Sequence, residues 1–328
     1  MGTAKRRVIL DCDTGLDDAI AIMLAVPHLD VLGITAVAGN CAVEYAARNS
    51  LKILEAVGAA DGIGVYQGSA RPLVAAPRPV STVHGAHGLG DIELPEPVHA
   101  LQPEHAVDFI VRTAMATDGT TIIATGPLTN VAEALNREPR LTARLDEVIM
   151  MGGSVLGGSI TPAAETNVSA DPEAAHIVFG SGVHVKMAGV NLTRQCTYTL
   201  EQVEELRGIG TRAADLAADL ASYYARHGTR SVGARSCRIN DACAVAWAIE
   251  PALIRSAPMH VDVELSGALT RGMTVCDSRH LMGTDPKVDI EREAQREPMG
   301  EAPNAEVALE LDFPAFRELL SSTLSAYD

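Results

Sequence analysis

The segment from residue 8 to residue 20 constrains the fold of this chain more than any other part of its sequence. It reads VILDCDTGLDDAI, a short apolar run followed by a Thr-Gly pair and then by helix-forming residues. That order predicts a strand, a tight loop and a helix. Asp11, Asp13, Asp17 and Asp18 therefore gather at the carboxyl end of a strand, where open α/β sheets bind their ligands.

These four carboxylates repel one another, and a bound cation removes that repulsion. Oxygen ligands at this density suit Ca²⁺ or Mg²⁺ far better than Zn²⁺. An alternative needs no metal: Asp17 and Asp18 would favour the positive end of the helix dipole, and Asp11 and Asp13 would be solvated. The dipole accounts for only part of the cluster, so the sequence favours a site for a divalent metal ion.

Composition excludes several classes of function. The chain has 328 residues, of which 47% are hydrophobic, and its formal net charge is −16. The apolar content is enough for a substantial core and argues against global disorder. The negative charge argues against binding to nucleic acid or to an anionic membrane, because both need basic surfaces.

The cellular setting is also predicted from composition. The cysteines are dispersed without a CxxC pair, the first residues lack the apolar region of a signal peptide, and no apolar run reaches the length of a membrane span. We therefore expect a soluble cytoplasmic protein.

Strand-like and helix-like segments alternate along the chain. Strand-like runs at 31–37, 120–124, 147–151 and 183–187 are separated by helical patterns, one of them at about 43–57. This alternation predicts an α/β fold with an open, mostly parallel central sheet flanked by helices, a Rossmann-like core. We find no repeat and no domain boundary, so residues 1–328 are expected to form a single domain.

Polar residues follow several of the predicted strands, and parallel strands bring their carboxyl ends to one crevice. The residues in question are Asn40, Thr125, Asn130, Ser154 and Asn191. The stretch 69–97 is rich in Gly, Pro and His, which indicates an active-site flap. Together these features predict one ligand site at the carboxyl edge of the sheet.

The acidic segment DCDTGLDD at 11–18 resembles the DxDxxxDD signature of the inosine-uridine-preferring nucleoside hydrolases. Further blocks match that family in the same order: GN at 39–40, HG at 84–85, TGPLTN at 125–130, MGG at 151–153, TPAAETN with DPEAA at 161–175, and ND at 240–241. The resemblance implies a nucleoside N-ribohydrolase with a nucleoside hydrolase-like fold over the whole chain. Its partner would be a small-molecule ribonucleoside, and the protein would be a homodimer or homotetramer.

The resemblance also implies roles for individual residues. Asp13, Asp18, the backbone carbonyl of Thr125 and Asp241 would bind Ca²⁺, and Asp13 would be the general base that deprotonates the attacking water. The residues that bind ribose would be Asp17, Asn40, Met151, Glu165 and Asn167. The residues on the base side would be His84, Ser159, Thr166, Tyr223, Tyr224, His227 and Asn240.

Four positions depart from the family pattern. Leu16 and Asn240 stand where a His is common, Ser159 replaces an Asn, and Thr166 replaces an aromatic residue. Asn240 matters most, because the His found there in many members protonates the departing base. An Asn side chain can donate a hydrogen bond but cannot act as an acid at neutral pH.

The base pocket is therefore expected to have atypical specificity. Aromatic residues make up only 3% of the chain, and its single tryptophan, Trp247, is predicted to lie in the core, which excludes a double-Trp purine sandwich. Either another group protonates the base, with His227 the leading candidate, or the base leaves with little protonation. A cationic, nicotinamide-like base or an acidic modified base would meet the second condition.

Two other functions remain as alternatives. A phosphatase of the haloacid-dehalogenase type also carries a DxDxT motif after a strand, with Asp11 as nucleophile, Asp13 as acid/base and Mg²⁺ as cofactor. That family needs its second acidic pair and a lysine far downstream, whereas Asp17 and Asp18 follow Asp13 closely. The other alternative is a catalytically inactive protein that binds calcium and ribose, but such a protein has no need of a base at Asp13.

Overall fold

The computed structural model describes residues 5–77, 83–227, 236–279 and 301–327. Its strands, in chain order, are β1 (Arg7–Cys12), β2 (Asp30–Ala36), β3 (Val65–Gln67), β4 (Thr120–Ala124), β5 (Leu145–Met151), β6 (Val185–Ala188), β7 (Thr197–Thr199), β8 (Ser236–Arg238), β9 (Ile254–Met259), β10 (Val261–Val263), β11 (Thr274–Cys276) and β12 (Ala305–Leu311).

The helices are α1 (Leu16–His28), α2 (Val43–Ala56), α3 (Ala106–Ala116), α4 (Thr129–Arg137), α5 (Thr166–Ala170), α6 (Pro172–Gly180), α7 (Val190–Thr193), α8 (Leu200–Arg207), α9 (Arg212–His227), α10 (Asn240–Ile249) and α11 (Phe313–Ser325). Short 3-10 helices span Pro139–Ala143 and Pro251–Leu253. Within the described ranges, no helix is both long and apolar enough to cross a membrane.

Eight strands form the central sheet, in the order β3-β2-β1-β4-β5-β6-β12-β9. Every neighbouring pair is parallel except β12 and β9, which are antiparallel. The prediction of an open, mostly parallel sheet flanked by helices is confirmed. Two-stranded antiparallel sheets, β7 with β8 and β10 with β11, lie outside it.

Strand β1 occupies an interior position of the sheet and separates two apolar layers. Val8 and Leu10 belong to the core on one face, while Ile9 belongs to the core on the other. This alternation follows from the two-residue period of a strand. It places Asp11 on the same face as Ile9, whereas Asp13 lies beyond the end of β1, in the loop that leads to α1.

Helix α1 is buried from Leu16 to Ala25 and packs against α2, α9 and α10. A helix that is apolar on all sides is stable only in the interior of a protein, where neighbouring helices cover each face. Helix α10 is buried in the same way, and its Trp247 lies in the core as the sequence predicted. The packing of α1 on α10 brings the first turns of the two helices together at the carboxyl edge of the sheet.

Candidate active site

Three buried carboxylates meet where α1 packs against α10. Asp17 and Asp18 lie in the first turn of α1, and Asp241 lies in the first turn of α10. Each offers a carboxylate oxygen within 4.8 Å of the others. Buried oxygens at this spacing are the donor set that a hard divalent cation requires.

The electrostatics of the cluster favour a bound cation. Burial raises the pKa of Asp13, Asp18 and Asp241, and in each case the negative charge of neighbouring aspartates raises it further. The Oδ1 atom of Asp17 is buried and has no hydrogen-bond partner among the described residues. Because a divalent cation would offset these charges, the residues present fit a metal ion, and the unpartnered oxygen remains available to a ligand.

Asn40 holds Asp13 next to this cluster. Its backbone N–H donates to Oδ2 of Asp13 over 2.6 Å, and its Nδ2 lies 3.2 Å from both Oδ1 of Asp13 and Oδ2 of Asp18. Gly39 permits this approach, because a Cβ atom there would lie 2.1 Å from Oδ2 of Asp13. Asp13 therefore lies beside Asp18 with its orientation fixed.

Asp11 points away from the cluster, as expected for its face of β1. Its Oδ1 accepts hydrogen bonds from Thr35 Oγ1 at 2.6 Å and from Asn130 Nδ2 at 2.8 Å. Burial raises the pKa of Asp11 to about 6 despite these two bonds. Asn130, which we expected in the ligand crevice, is thus a partner of Asp11, and Asn191 likewise bonds the backbone of Ala308 instead.

We predict that, with divalent cations removed, the free energy of unfolding falls as pH rises from about 4 to 7. An acid whose pKa is higher in the folded than in the unfolded protein stabilises the fold at pH values below its unfolded pKa, which is 3.8 for aspartate. That contribution is lost as the pH rises through the folded-state pKa, which is about 6 for Asp11. Asp13, Asp18 and Asp241 act in the same direction, because burial raises their pKa values as well.

Bound Ca²⁺ should offset the cost of ionising these acids, so the stabilisation that it gives should grow with pH. Denaturant unfolding at pH 5 and 7.5, with chelator or with saturating Ca²⁺, measures the difference. Equal slopes of stability against pH under the two conditions would contradict the prediction.

The residues expected to bind ribose surround the ends of β4 and β5. Glu165 caps α5, and its Oε2 accepts from the backbone N–H of Val168 at 3.1 Å and of Gly153 at 3.0 Å. Asn167 Nδ2 donates to the backbone carbonyls of Thr125 at 2.7 Å and of Met151 at 3.0 Å. These bonds fasten the start of α5 to the carboxyl edge of the sheet.

Thr125 connects this group to the acidic cluster. Its Oγ1 donates to Oδ1 of Asp18 over 2.7 Å, while its carbonyl oxygen accepts from Asn167. A carbonyl oxygen has two lone pairs, so one remains for a second partner. The candidate metal ligands and the candidate ribose ligands therefore form one connected set.

On the base side, the structure brings Asn240, Tyr224 and His84 together. Asn240 Nδ2 donates to Oδ2 of Asp17 over 2.8 Å and lies 3.4 Å from the hydroxyl of Tyr224. The Tyr224 ring meets His84 edge-on, with ring centroids 5.8 Å apart. His84 Nδ1 accepts from the backbone N–H of Leu16 at 3.1 Å, which leaves the hydrogen of the neutral ring on Nε2.

Tyr223 and His227 are directed elsewhere. The Tyr223 ring packs against Gly90, where a Cβ atom would lie 2.6 Å from it. His227 stacks on Tyr223 with centroids 4.0 Å apart, is exposed, and bonds the Tyr223 carbonyl through Nδ1 at 3.1 Å. In the described part of the chain, no hydrogen bond or ring contact joins either residue to Asn240.

Ser159, on the exposed loop before α5, and Thr166, the first residue of α5, form a separate polar pair with their hydroxyl oxygens 2.9 Å apart. The Arg194 side chain donates to the backbone carbonyl of Gly158, the residue before Ser159, at 2.8 Å. This loop borders the site at Glu165 and does not enter the acidic cluster. The flap predicted at 69–97 is described except for residues 78–82, which lie outside the described residues.

Sequence reasoning missed three residues that shape the site. Gly15 is needed because a Cβ atom there would lie 2.4 Å from Nδ1 of His84. Thr35 anchors Asp11 from the neighbouring strand. Arg238 borders a narrow crevice together with Asp17 and Tyr224. Gly15 lies inside the signature segment, whereas Thr35 and Arg238 belong to no motif that could have identified them.

Comparison with known proteins agrees with this geometry. Residues 8–318 match the family model described as inosine-uridine preferring nucleoside hydrolase. The pyrimidine-specific ribonucleoside hydrolase RihA of Escherichia coli K12 is 38% identical over 324 residues, which cover 98% of both chains.

Solved structures of similar proteins cover nearly the whole chain as well. A purine-preferring ribonucleoside hydrolase from Gardnerella vaginalis is 31% identical with a TM-score of 0.85, over 97% of this chain and 98% of that one. A plant nucleoside hydrolase is 30% identical with a TM-score of 0.87, over 98% and 99%.

Proposed function

The chain belongs to the inosine-uridine preferring nucleoside hydrolase family, and from this premise we propose that it is a Ca²⁺-dependent ribonucleoside hydrolase of atypical base specificity. It would cleave the N-glycosidic bond and release ribose and the free base. The observation that carries the proposal is the meeting of buried carboxylates from α1 and α10, with Asp13 held beside them.

In this proposal Asp13, Asp18, Asp241 and the carbonyl of Thr125 hold the metal ion. When bound, Ca²⁺ would orient the attacking water and the ribose hydroxyls and offset the charge of the surrounding acids. The buried, unpartnered Oδ1 of Asp17 is free to accept a hydrogen bond from a ribose hydroxyl. Asn40, Met151, Glu165 and Asn167 complete the ribose site.

Asp13 is the proposed general base. It takes a proton from water as the water oxygen bonds to C1′ of the ribose, and the C1′–N bond breaks with its electron pair passing to the base. The backbone N–H of Asn40 holds Oδ2 of Asp13, so the carboxylate has a fixed orientation for this proton transfer. The positive charge that develops on the sugar is stabilised by the surrounding carboxylates.

Base specificity requires separate evidence, because relatives with similar folds have different names. The Escherichia coli relative is named pyrimidine-specific, and the Gardnerella vaginalis structure is named purine-preferring. Asn240 bonds Asp17 and cannot protonate a base. His227 is exposed and bonded to Tyr223, so we favour a base that leaves with little protonation.

We predict that Asn240→His raises the rate on nucleosides whose base is a poor leaving group, such as inosine. An imidazole at this position would protonate the departing base, which is worth roughly 10²–10⁴ in rate. The measurement compares kcat on inosine and uridine for wild type, Asn240→His and Asn240→Ala. Efficient hydrolysis of both nucleosides by wild type, with no gain from His, would contradict altered leaving-group chemistry.

A nucleoside panel tests the proposed function itself. Ribose release from ordinary, modified and positively charged nucleosides is followed with saturating Ca²⁺ and again after chelation. We expect release from at least one nucleoside and its loss without Ca²⁺. Absence of release from every nucleoside, with intact Ca²⁺ binding, would favour the inactive binding protein, and phosphate release from phosphomonoesters would favour the phosphatase. A single domain, cytoplasmic location and a homodimer or homotetramer remain predictions.

A further inference from the structure

Residues 83–91, which we call the flap loop, lie against the helices that carry the acidic cluster. His84 is buried and its Nδ1 accepts a hydrogen bond from the backbone N–H of Leu16, at the start of α1. Leu89 is buried in the core to which α1 and α2 also contribute. A hydrogen bond of 2.8 Å from the backbone N–H of Gly90 to the carbonyl of His84 closes the loop on itself. The flap loop is therefore a compact unit that holds His84 next to the site.

Asn49, in the middle of α2, joins the flap loop to the loop between β1 and α1. The residue is only 4% exposed. Its Nδ2 donates to the backbone carbonyl of His87 over 2.8 Å and to that of Thr14 over 3.0 Å. An amide group carries two N–H hydrogens, so one side chain can serve both carbonyls at once. Because Thr14 follows Asp13, this single amide group links the flap loop to the segment that carries the candidate general base.

The backbone of the flap loop fits this contact only with glycine at position 88. Gly88 has a φ of +93°, which residues with a side chain rarely adopt. A Cβ atom there would lie 2.7 Å from Nδ2 of Asn49 and 3.0 Å from the carbonyl oxygen of Thr14. A side chain at position 88 would therefore push the flap loop away from Asn49, and glycine lets the loop come close enough for the bond to His87.

The next residue on α2 shows what support of the acidic loop alone looks like. Ser50 is also buried, its Oγ lies 2.7 Å from Oγ1 of Thr14, and it donates to the carbonyl of Ala46 over 2.9 Å. These bonds hold the acidic loop and do not reach the flap loop. Asn49 differs because one of its two hydrogen bonds goes to the loop that carries His84.

We propose that Asn49 is a positioning residue that fastens the flap loop beside the acidic cluster and so sets the fraction of the enzyme that is ready to bind a nucleoside. The inference rests on the proposed function and concerns the control of that same site. His84 contacts Leu16 and meets the Tyr224 ring edge-on, so its place on the base side depends on the position of the flap loop. When the loop is released, the contacts of His84 are lost, and the apparent dissociation constant rises as the fastened fraction falls.

Three variants test the proposal. Asn49→Leu keeps the approximate size of the side chain and removes both donors. Gly88→Ala displaces the flap loop from Asn49 and leaves the bond between Asn49 and Thr14 in place, so it gives the answer if Asn49→Leu fails to fold. Ser50→Ala is the matched control, because it removes a buried contact to Thr14 from the same helix without touching the flap loop.

Two measurements are made on the Ca²⁺-loaded protein. Amide hydrogen exchange of the flap loop, without nucleoside, reports how often the loop is released. Loss of a buried hydrogen bond corresponds to about 5- to 100-fold in an equilibrium, so exchange should be faster by a factor of that order in Asn49→Leu and in Gly88→Ala. KM and kcat are then measured by ribose release on the best nucleoside of the panel.

KM should rise in Asn49→Leu and Gly88→Ala, while kcat and the Ca²⁺ affinity stay close to wild type. A residue with only a structural role would not separate KM from kcat in this way. The two changes act on one contact, so the double variant should be no worse than the more severe single variant. Ser50→Ala should match wild type both in exchange of the flap loop and in KM.

Unchanged exchange of the flap loop in Asn49→Leu and Gly88→Ala would overturn the fastening role. Faster exchange with an unchanged KM would overturn the control of binding, and an equal fall of kcat in Asn49→Leu and Ser50→Ala would mean that Asn49 supports only the acidic loop. Hydrogen exchange needs no turnover, which separates this proposal from the function on which it rests. Failure of wild type on every nucleoside would refute the proposed function, whereas faster exchange in Asn49→Leu would still support the fastening of the flap loop.

Discussion

Asp13→Ala should lower kcat by a factor on the order of 10² to 10⁴ at saturating Ca²⁺. Asp13 is buried, its Oδ2 is fixed by the backbone N–H of Asn40, and its pKa is raised by burial and by Asp18. Alanine removes the proton acceptor and leaves the other acids in place. The rate is measured by ribose release on the best nucleoside of the panel, with Ca²⁺ raised until the rate no longer changes.

Asp11→Asn is the matched control for this experiment. Asp11 is equally buried and lies two residues away, but its bonds to Thr35 and Asn130 turn it toward the opposite face of β1. We expect this variant to retain most of its kcat. Near-wild-type turnover of Asp13→Ala at saturating Ca²⁺ would exclude Asp13 as the base, and an equal loss in both variants would point to a general structural effect.

Asp18→Ala should weaken Ca²⁺ binding by at least about 10²-fold, because it removes an anionic ligand and not merely a group that orients one. Asp18 is buried, lies within 4.8 Å of Asp17 and Asp241, and accepts a hydrogen bond from Thr125 over 2.7 Å. The measurement is isothermal titration calorimetry of the metal-free protein with Ca²⁺.

Two further variants show whether a loss of Ca²⁺ affinity is specific to the proposed metal ligands. Asp146→Ala removes an exposed carboxylate from the amino-terminal half of β5 and should leave the Ca²⁺ affinity unchanged. Asp241→Asn tests the second helix and should also weaken binding, while keeping the size of the side chain. Unchanged affinity in Asp18→Ala would rule out the proposed metal site, even if the enzyme proved active.

Local sequence patterns are sufficient to predict the strand, the loop and the helix on which the acidic residues lie. The run at 8–12, the turn at Thr14 and Gly15 and the apolar segment that follows produced β1, its loop and α1 as predicted. Strands predicted at 31–37 and 183–187 begin at Asp30 and Val185, and the helix predicted at 43–57 ends at Ala56. Errors of one or two residues at the ends are expected, because end residues have few local contacts to fix them.

The order of the acidic residues along the chain does not show to which side each carboxylate points. Four aspartates within eight residues looked like one cluster, yet Asp11 faces α4 and bonds Asn130. Strand alternation separates Asp11 from Asp13, but it applies only if β1 ends at Cys12, and sequence patterns place such ends poorly. Asn130 and Asn191 were likewise assigned to the crevice because they follow strands, whereas their side chains support the backbone and a neighbouring acid.

The sequence by itself determined the α/β class, the parallel sheet, the family and the acidic strand end, because each depends on short local patterns and on their order along the chain. Tertiary structure decided which of those residues meet. Asp17 bonds Asn240 across 223 residues of sequence, and Thr125 bonds Asp18 across 107. Such contacts follow from the packing of α1 on α9 and α10, which buries apolar faces of all three helices. Secondary-structure propensity depends on residues that are neighbours in the chain, whereas the site is built from distant residues that burial of the core brings together.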